Sequence, residues 1–376
     1  MATRLNDLPQ VLIRNYFAGI STFIHGKPAL GKTDTIMAFG EKMKAKLGER
    51  GEDFRVWLFY APTMSPMDIQ ASAPNYETGK LDLYNNVALP NAYDETDEVK
   101  FKGVIFFGEM TNADPSTIKL LQKYVNREDM NGKLKLPDGV QVIVDGNRIE
   151  DKSGVQQQGR AFMSRFEHIE VYSEAQDNIN FAARNEWHPN VQTYFKDHPG
   201  DIDNYDEVFQ TSGSVNKVSG KANSGLMAEE GRKGIWASMR SWKRISDKEK
   251  VADQLKSPMT LGEMTGNLGS GVGASYMAHR DLIGRLASFD EVMANAEHID
   301  LPTKIDEQYI LSLLVAMRCK PEQMDTVKAF GVRMPMEMQA VMLRNLACRK
   351  GFNLHHSAAY KDWISNPEIV QLINGR

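Results

Sequence analysis

A glycine-rich stretch near the start of the chain carries the residues with the clearest chemical potential. Gly26, Gly31, Lys32 and Thr33 stand at the spacing G-x-x-x-x-G-K-[ST], between an apolar run and an amphipathic segment. In such a loop, backbone N–H groups wrap a phosphate while the positive end of the next helix faces the same anion. Lys32 would reach the β- and γ-phosphates, and the Thr33 hydroxyl would bind Mg²⁺. The stretch predicts a phosphate-binding loop, with an ordinary glycine-rich turn as the alternative.

Polar side chains follow two later apolar runs that resemble buried strands. Glu109 comes just after the run at 103–107, where its carboxylate could orient the water that attacks a γ-phosphate. Asn147 comes shortly after the run at 140–144 and could hold the same water from the opposite side. The alternatives are a solvated loop glutamate and a turn-forming asparagine. With the phosphate loop, the two residues predict a site of nucleotide hydrolysis.

An arginine before the last predicted strand is a further candidate. Arg165 lies just ahead of the strand predicted at 168–172. From there its guanidinium could reach the γ-phosphate bound by a neighbouring subunit and act as an arginine finger. The alternative is an arginine in a surface ion pair.

The elements that must position these residues alternate between strands and helices. Apolar runs predict strands at 21–25, 54–60, 103–107, 140–144 and 168–172. Helical periodicity is found at 5–17, at 34–47 and at 116–125, the last with Asp114 as N-cap and Pro115 at its first position. Such alternation predicts an α/β fold with a parallel sheet and its ligand at the carboxyl ends of the strands.

The second half of the chain has a different character. Helical patterns dominate from residue 176, with breaks expected at the prolines and at the glycine cluster 262–273. Residues 203–233 are rich in Ser, Gly, Asn and Lys, which predicts a flexible insertion. We therefore predict three domains: an α/β domain at 1–173, a helical lid at 174–290 and a helical C-terminal extension at 291–376.

Composition sets the remaining limits. The chain has 376 residues, of which 41% are hydrophobic, so it can bury a sizeable core. The net charge of −4 gives no overall attraction to nucleic acid, although a local basic patch stays possible. No stretch reaches the roughly 18 apolar residues of a membrane span. Cys319 and Cys348 show no metal-ligand spacing, which fits buried thiols in a reducing, cytoplasmic setting.

The motifs taken together resemble those of the AAA+ ATPases, and more narrowly the MoxR-like branch. GKPALGKT at 26–33 is similar to Walker A, VIFFGEM at 104–110 to Walker B, and DGNR at 145–148 to the end of the sensor-1 strand. MSRFEHIEV at 163–171 is similar to the segment with the arginine finger, and WASMRSWKRIS at 236–246 to the start of the sensor-2 helix. Further similar pieces are EWHPNVQTYF at 186–195 and GSGVGASYMAHRDL at 269–282.

The resemblance implies a role for each matching residue. ATP and Mg²⁺ would be the ligands, Glu109 would activate water, Asn147 would position it, Arg165 would act in trans, and Arg240 would be the sensor-2 arginine acting in cis. The residues expected to bind the nucleotide are Gly26, Pro28, Ala29, Leu30, Gly31, Lys32, Thr33 and Asp34.

One departure from the family pattern concerns the metal. The family's Walker B ends in Asp-Glu, whereas this chain has Gly108-Glu109, so the acidic partner of Mg²⁺ is missing. Asp145 stands two positions before Asn147, on the same side of a strand that the family places between the Walker A and Walker B strands. We hypothesise that Asp145 takes over the role of the lost carboxylate and, with Thr33, binds the metal. The alternative is an incidental acidic residue.

The resemblance implies a Mg²⁺-dependent ATPase that acts as a ring, expected to be a hexamer, and remodels a protein partner. Members of the branch commonly act with von Willebrand factor A-type proteins, which suggests such a partner. A nucleic-acid motor or loader is a second hypothesis and would need basic residues in the ring lumen. A nucleotide-gated scaffold with little turnover, because of Gly108, is a third. The lysines available for the second hypothesis are Lys80, Lys100, Lys102, Lys133 and Lys135.

Overall fold

The chain forms two compact units. A computed structural model places the first at Met1–Glu174 and the second at Ala175–Arg376. It describes residues 2–148, 151, 159–209, 233–349, 354 and 357–373. Most of the predicted insertion at 203–233 lies outside the described residues, and the further boundary at residue 290 stays a prediction.

Six strands of the first unit form one sheet in which every neighbouring pair is parallel. Their spatial order is β1-β8-β2-β7-β6-β3. A separate antiparallel hairpin, β4–β5, turns at Gly79. The strands are β1 (Thr3–Arg4), β2 (Thr22–His25), β3 (Phe54–Tyr60), β4 (Gln70–Asn75), β5 (Lys80–Asn85), β6 (Lys102–Gly108), β7 (Val140–Gly146) and β8 (Glu167–Tyr172).

The central strands are buried on both faces, as is typical of a parallel sheet covered by helices. Every residue of β7 is buried, and so is every residue of β6 after Lys102. β2 lies between β8 and β7, and β7 lies between β2 and β6. The predicted fold class, an α/β fold with a parallel sheet and a helical region after it, is confirmed.

Local signals explain the helices of the first unit. Asp114 caps the third helix through its carboxylate, which accepts a hydrogen bond from the Ser116 N–H, and Pro115 opens that helix, as predicted. The same helix buries Ile118, Leu121 and Tyr124 against the sheet. The helices are α1 (Leu8–Ala18), α2 (Lys32–Gly48), α3 (Pro115–Val125) and α4 (Arg160–Met163).

The second unit is helical throughout its described residues. Trp242, Tyr194 and Tyr276 are fully buried at the centre of one of its cores, and Cys319 is buried in another. The side chain of Cys348 is outside the described part. The helices are α5 (Ala175–Arg184), α6 (Pro189–Asp197), α7 (Tyr205–Phe209), α8 (Met239–Leu255), α9 (Leu261–Leu268), α10 (Ser270–Ile283), α11 (Phe289–Ala294), α12 (Ile305–Arg318), α13 (Met324–Gly331), α14 (Met336–Cys348), α15 (Ala358–Trp363) and α16 (Pro367–Ile373).

No helix among the described residues is both long enough and apolar enough to cross a membrane.

The helix break that the sequence predicts in the glycine cluster at 262–273 is present, but it is confined to Gly269. The other glycines of the cluster lie within α9 and α10. Gly273 explains part of the difference, because a Cβ atom there would lie 2.7 Å from the Thr265 Cα of α9. Close packing of two helices, which local propensity does not report, requires glycine at this position.

Adding a methyl group at two of these glycines should therefore give opposite results. We expect Gly273→Ala to lower the free energy of unfolding by about 1–3 kcal/mol, because the backbone of α9 must move. Gly266→Ala is the matched control: it lies in α9 with no atom near the new methyl, and should raise that free energy by up to ~1 kcal/mol. Urea unfolding of both variants measures the difference, and equal effects would contradict the packing explanation.

Candidate nucleotide-binding site

The loop at 26–31 connects the middle of the sheet to α2. Phe23 and Ile24 of β2 are fully buried, which fixes the strand from which the loop starts. Gly26 packs closely, because a Cβ atom there would lie 2.9 Å from Val171 Cγ2. Gly31 has a φ of 95°, a left-handed conformation that glycine adopts without strain. The two motif glycines are thus needed for different reasons, one for packing and one for backbone geometry.

The first turn of α2 is suited to bind an anion. Gly31 precedes α2 and has no side chain that could cap the free N–H groups of the first helical turn. These N–H groups and the helix dipole together favour binding of a phosphate. Thr33 and Asp34 are exposed in that turn. The loop residues between the glycines are half-buried, and Ala29 has a left-handed φ of 60°. These residues lie where the sequence predicts nucleotide contacts.

Lys32 is the buried cation of the site. Its ammonium donates hydrogen bonds to the carbonyls of Gly26 at 2.8 Å and Lys27 at 3.0 Å, and to Asn147 Oδ1 at 3.4 Å. Burial lowers the pKa of Lys32, and the negative charge of nearby Asp145 opposes that shift most strongly. The lysine predicted to bind phosphate is therefore held in contact with the loop and with the predicted water-positioning amide.

Glu109 lies directly after the end of β6 in an unusual conformation. Its φ of 54° is left-handed, which is uncommon for a residue other than glycine and turns the chain sharply as it leaves the strand. The Glu109 N–H donates a hydrogen bond of 2.7 Å to Asp145 Oδ1, and Asn112 Nδ2 donates to Glu109 Oε2 at 3.4 Å. The Asp145 side chain therefore holds the backbone of the predicted catalytic glutamate.

Asp145 is also placed next to the position where the family pattern expects an aspartate. A Cβ atom at Gly108 would lie 3.8 Å from Asp145 Oδ1, so a carboxylate already approaches the space that a side chain at 108 would enter. Only 4% of Asp145 is exposed; burial raises its pKa, while the Lys32 charge and the Glu109 N–H lower it. A hard oxygen ligand next to the phosphate loop is the type that Mg²⁺ prefers. That Asp145 and Thr33 bind the metal stays a prediction.

Two interactions at this edge of the sheet are not foreseen from the sequence. Arg148 pairs with buried Asp151 through a 2.8 Å contact, and its own N–H donates to the same carboxylate at 3.0 Å, which holds Asp151 against the end of β7. The only sequence signal is an acidic residue three positions after the arginine.

The second interaction joins the phosphate-loop strand to β8. His168 Nε2 lies 2.8 Å from the Met163 carbonyl, so it donates there and leaves Nδ1 to accept from His25 Nε2 at 2.9 Å. Burial, and then the neighbouring His168 and Lys32, lower the pKa of His25 to about 4. The hydrogen-bonded ring pair connects the strand before the loop to the segment that carries Arg165.

The contacts described for Arg165 do not involve Lys32. Arg165 is exposed, and its guanidinium binds the Ala161 carbonyl and the Asn126 side chain within its own chain. Arg240 is exposed near the start of α8 in the second unit. Their roles toward nucleotide stay predictions.

Comparisons with known proteins were made for the sequence and for the fold. A search with protein-family models gave no match, and a search of curated proteins gave none either. Among solved structures, the chain is similar to a putative ATPase from Cytophaga hutchinsonii, with 17% identity and a TM-score of 0.34. The match covers 49% of this chain and 51% of the other, so the chain spans about half of that protein's length.

Two further structures cover more of the chain. A mutant of RuvB from Thermotoga maritima is 12% identical over 77% of this chain and 74% of its own, with a TM-score of 0.35. The ORC2 protein of Aeropyrum pernix, solved in ADPNP and ADP complexes, is 8% identical over 99% and 93%, with a TM-score of 0.38. Likenesses with scores this low carry no argument on function.

Proposed function

We propose that the protein is a Mg²⁺-dependent ATPase of the MoxR-like AAA+ class. The observation that carries the proposal is the meeting of Lys32, Glu109, Asp145 and Asn147 at the carboxyl ends of three adjacent strands, β2, β6 and β7. Parallel strands end at one edge of a sheet, which is where such folds bind their ligands. These side chains supply the cation, carboxylates and amide that phosphoryl transfer to water requires.

The mechanism follows from positioning and charge. Lys32 and the N–H groups of the loop hold the β- and γ-phosphates, Glu109 accepts a proton from the attacking water, and Asn147 orients that water. When bound, Mg²⁺ held by Thr33 and Asp145 offsets charge on the phosphate oxygens. Since Asn147 Oδ1 already accepts from Lys32 Nζ, its Nδ2 group is left to donate to other oxygens.

In this proposal the ATPase works as a cytoplasmic hexameric ring that remodels a protein client, such as a von Willebrand factor A-type protein. Arg165 of one subunit would complete the site of the next, and Arg240 would act within its own chain. The decisive experiment is steady-state ATP hydrolysis by the wild type and Glu109→Gln, with the oligomer mass measured with and without ATP. Undetectable hydrolysis by a protein that binds ATP would favour the scaffold hypothesis instead.

The nucleic-acid hypothesis gains no specific support from the described residues. Of the five candidate lysines, Lys102 forms an ion pair with Glu52, so a carboxylate of the same chain already offsets its positive charge. The hypothesis would be supported if DNA stimulated ATP hydrolysis and if this stimulation fell steeply with salt concentration.

Arg165→Ala tests the contribution from a neighbouring subunit. We expect kcat for ATP hydrolysis to fall by roughly 10³-fold, as for other arginine fingers, while the assembled protein still binds ATP. Arg160→Ala is the matched control, because Arg160 is an exposed arginine of the same segment, and it should keep the wild-type rate. Thermal unfolding checks that loss of the contacts to Ala161 and Asn126 leaves the fold intact. Wild-type hydrolysis by Arg165→Ala would exclude the trans mechanism.

A further inference from the structure

The helical unit contains a second cluster of potential ligands, unrelated to the phosphate loop. Asp197 ends α6, His198 follows it directly, and His279 lies on α10. One carboxylate oxygen and one ring nitrogen from each histidine lie within 4.8 Å of one another. Asp197 Oδ2 is 3.6 Å from His198 Nδ1 and 3.7 Å from His279 Nδ1. Both distances are too long for hydrogen bonds.

The hydrogen bonds around His279 determine which of its nitrogens carries the proton. The Thr193 hydroxyl donates to the Asn190 carbonyl at 2.9 Å, so its oxygen accepts from His279 Nε2 at 3.0 Å. A ring with its proton on Nε2 leaves the lone pair of Nδ1, which lies 3.7 Å from Asp197 Oδ2, available to bind a cation.

His198 presents a second nitrogen to the same carboxylate. Its Nδ1 is shielded from solvent and has no hydrogen-bond partner among the residues that the structure describes. The ring stacks on Tyr194, with 4.5 Å between ring centroids. The backbone N–H of His198 donates to the Tyr194 carbonyl at 2.7 Å, which fixes the chain at this residue. A buried nitrogen without a partner is costly, and a cation in front of it would remove that cost.

The distances from Asp197 Oδ2 to the two histidine nitrogens fit a metal ion. In a tetrahedral site with bonds of about 2.0–2.1 Å, ligand atoms lie roughly 3.3–3.4 Å apart, within a few tenths of an ångström of the two distances here. Imidazole and carboxylate together favour Zn²⁺ over Mg²⁺ or Ca²⁺, which prefer all-oxygen sites. The hydrogen bond from His279 to Thr193 is the kind of outer contact that orients a metal-binding histidine.

We propose that Asp197, His198 and His279 bind one divalent transition-metal ion of the Zn²⁺ type, with a position left for water. The side chains of Asp197 and His198 are 34% and 39% exposed, which gives the ion a route from solvent. The ion would fix the end of α6 to α10 and so stabilise the helical unit.

The test uses the full-length protein, stripped of metal with a chelator and then titrated with ZnCl₂ by calorimetry and thermal unfolding. We expect one Zn²⁺ per chain and a rise in Tm. His198→Gln and Asp197→Asn should each weaken binding by more than about tenfold, since removal of a ligand costs at least as much as removal of an outer-shell partner. Both side chains are partly exposed, so these variants should fold where His279→Gln could fail.

Two further variants serve as matched controls. His298→Gln removes an exposed histidine of the same unit, and His168→Gln removes a member of the other close histidine pair; both should bind Zn²⁺ like the wild type. Absence of saturable binding, or equal binding by His198→Gln and the wild type, would overturn the proposal. Loss of Zn²⁺ binding in His168→Gln alone would assign the ion to the pair of His25 and His168, and it would also overturn the proposal.

Discussion

Lys32→Ala is expected to weaken ATP binding by roughly a hundredfold. The Lys32 ammonium is the buried cation of the loop, and it now donates to the carbonyls of Gly26 and Lys27. If two charge-assisted hydrogen bonds to phosphate are lost, the cost is about 3 kcal/mol, which corresponds to that change in Kd. Calorimetric titration with a non-hydrolysable ATP analogue and Mg²⁺ measures it.

Two controls separate this effect from general damage. Lys42→Ala removes the same charge from an exposed position of α2 and should bind like the wild type. Lys32→Ala also leaves buried Asp145 without its neighbouring cation, so its thermal unfolding must be measured in parallel. A folded Lys32→Ala protein with wild-type affinity would show that the loop is not the nucleotide site.

The sequence predicted the parts of the fold that depend on local signals. Apolar runs such as 103–107 and the cap at Asp114 each specify an element by themselves, and these elements are present. Short runs buried on both faces indicated a parallel sheet, which is confirmed. Only the family resemblance placed β7 between the strands of the phosphate loop and of Glu109, because strand order depends on contacts far apart in sequence.

The interactions that shape the site were harder to predict. The bond between the Glu109 N–H and Asp145 depends on the register of β6 against β7, in which Phe107 pairs with Val144. The residue types at Phe107 and Val144 do not indicate which residue of β6 pairs with which residue of β7. The left-handed backbone of Glu109 and the hydrogen bond between His25 and His168 likewise arise from packing that brings distant segments together.

Asp145 is the residue whose replacement should be most informative about hydrolysis. It has two separable roles, because its carboxylate both accepts the Glu109 N–H and supplies negative charge beside the phosphate loop. Asp145→Asn keeps an oxygen for that hydrogen bond and removes the charge. If the charge helps to bind Mg²⁺, this variant should need roughly 10–100-fold more Mg²⁺ for half-maximal hydrolysis, the range found when a supporting residue of a metal site is lost.

The space beside Gly108 allows a rescue experiment. A Cβ atom there meets only ordinary contacts of 3.7 Å or more, so Gly108→Asp introduces no clash at Cβ. Combined with Asp145→Asn, it should return a carboxylate to the same space from β6 and restore the low Mg²⁺ requirement, whereas Gly108→Ala in that background should not. If Asp145→Asn alone keeps the wild-type Mg²⁺ dependence, the carboxylate serves only to hold Glu109, and Asp145→Ala should then impair hydrolysis where Asp145→Asn does not.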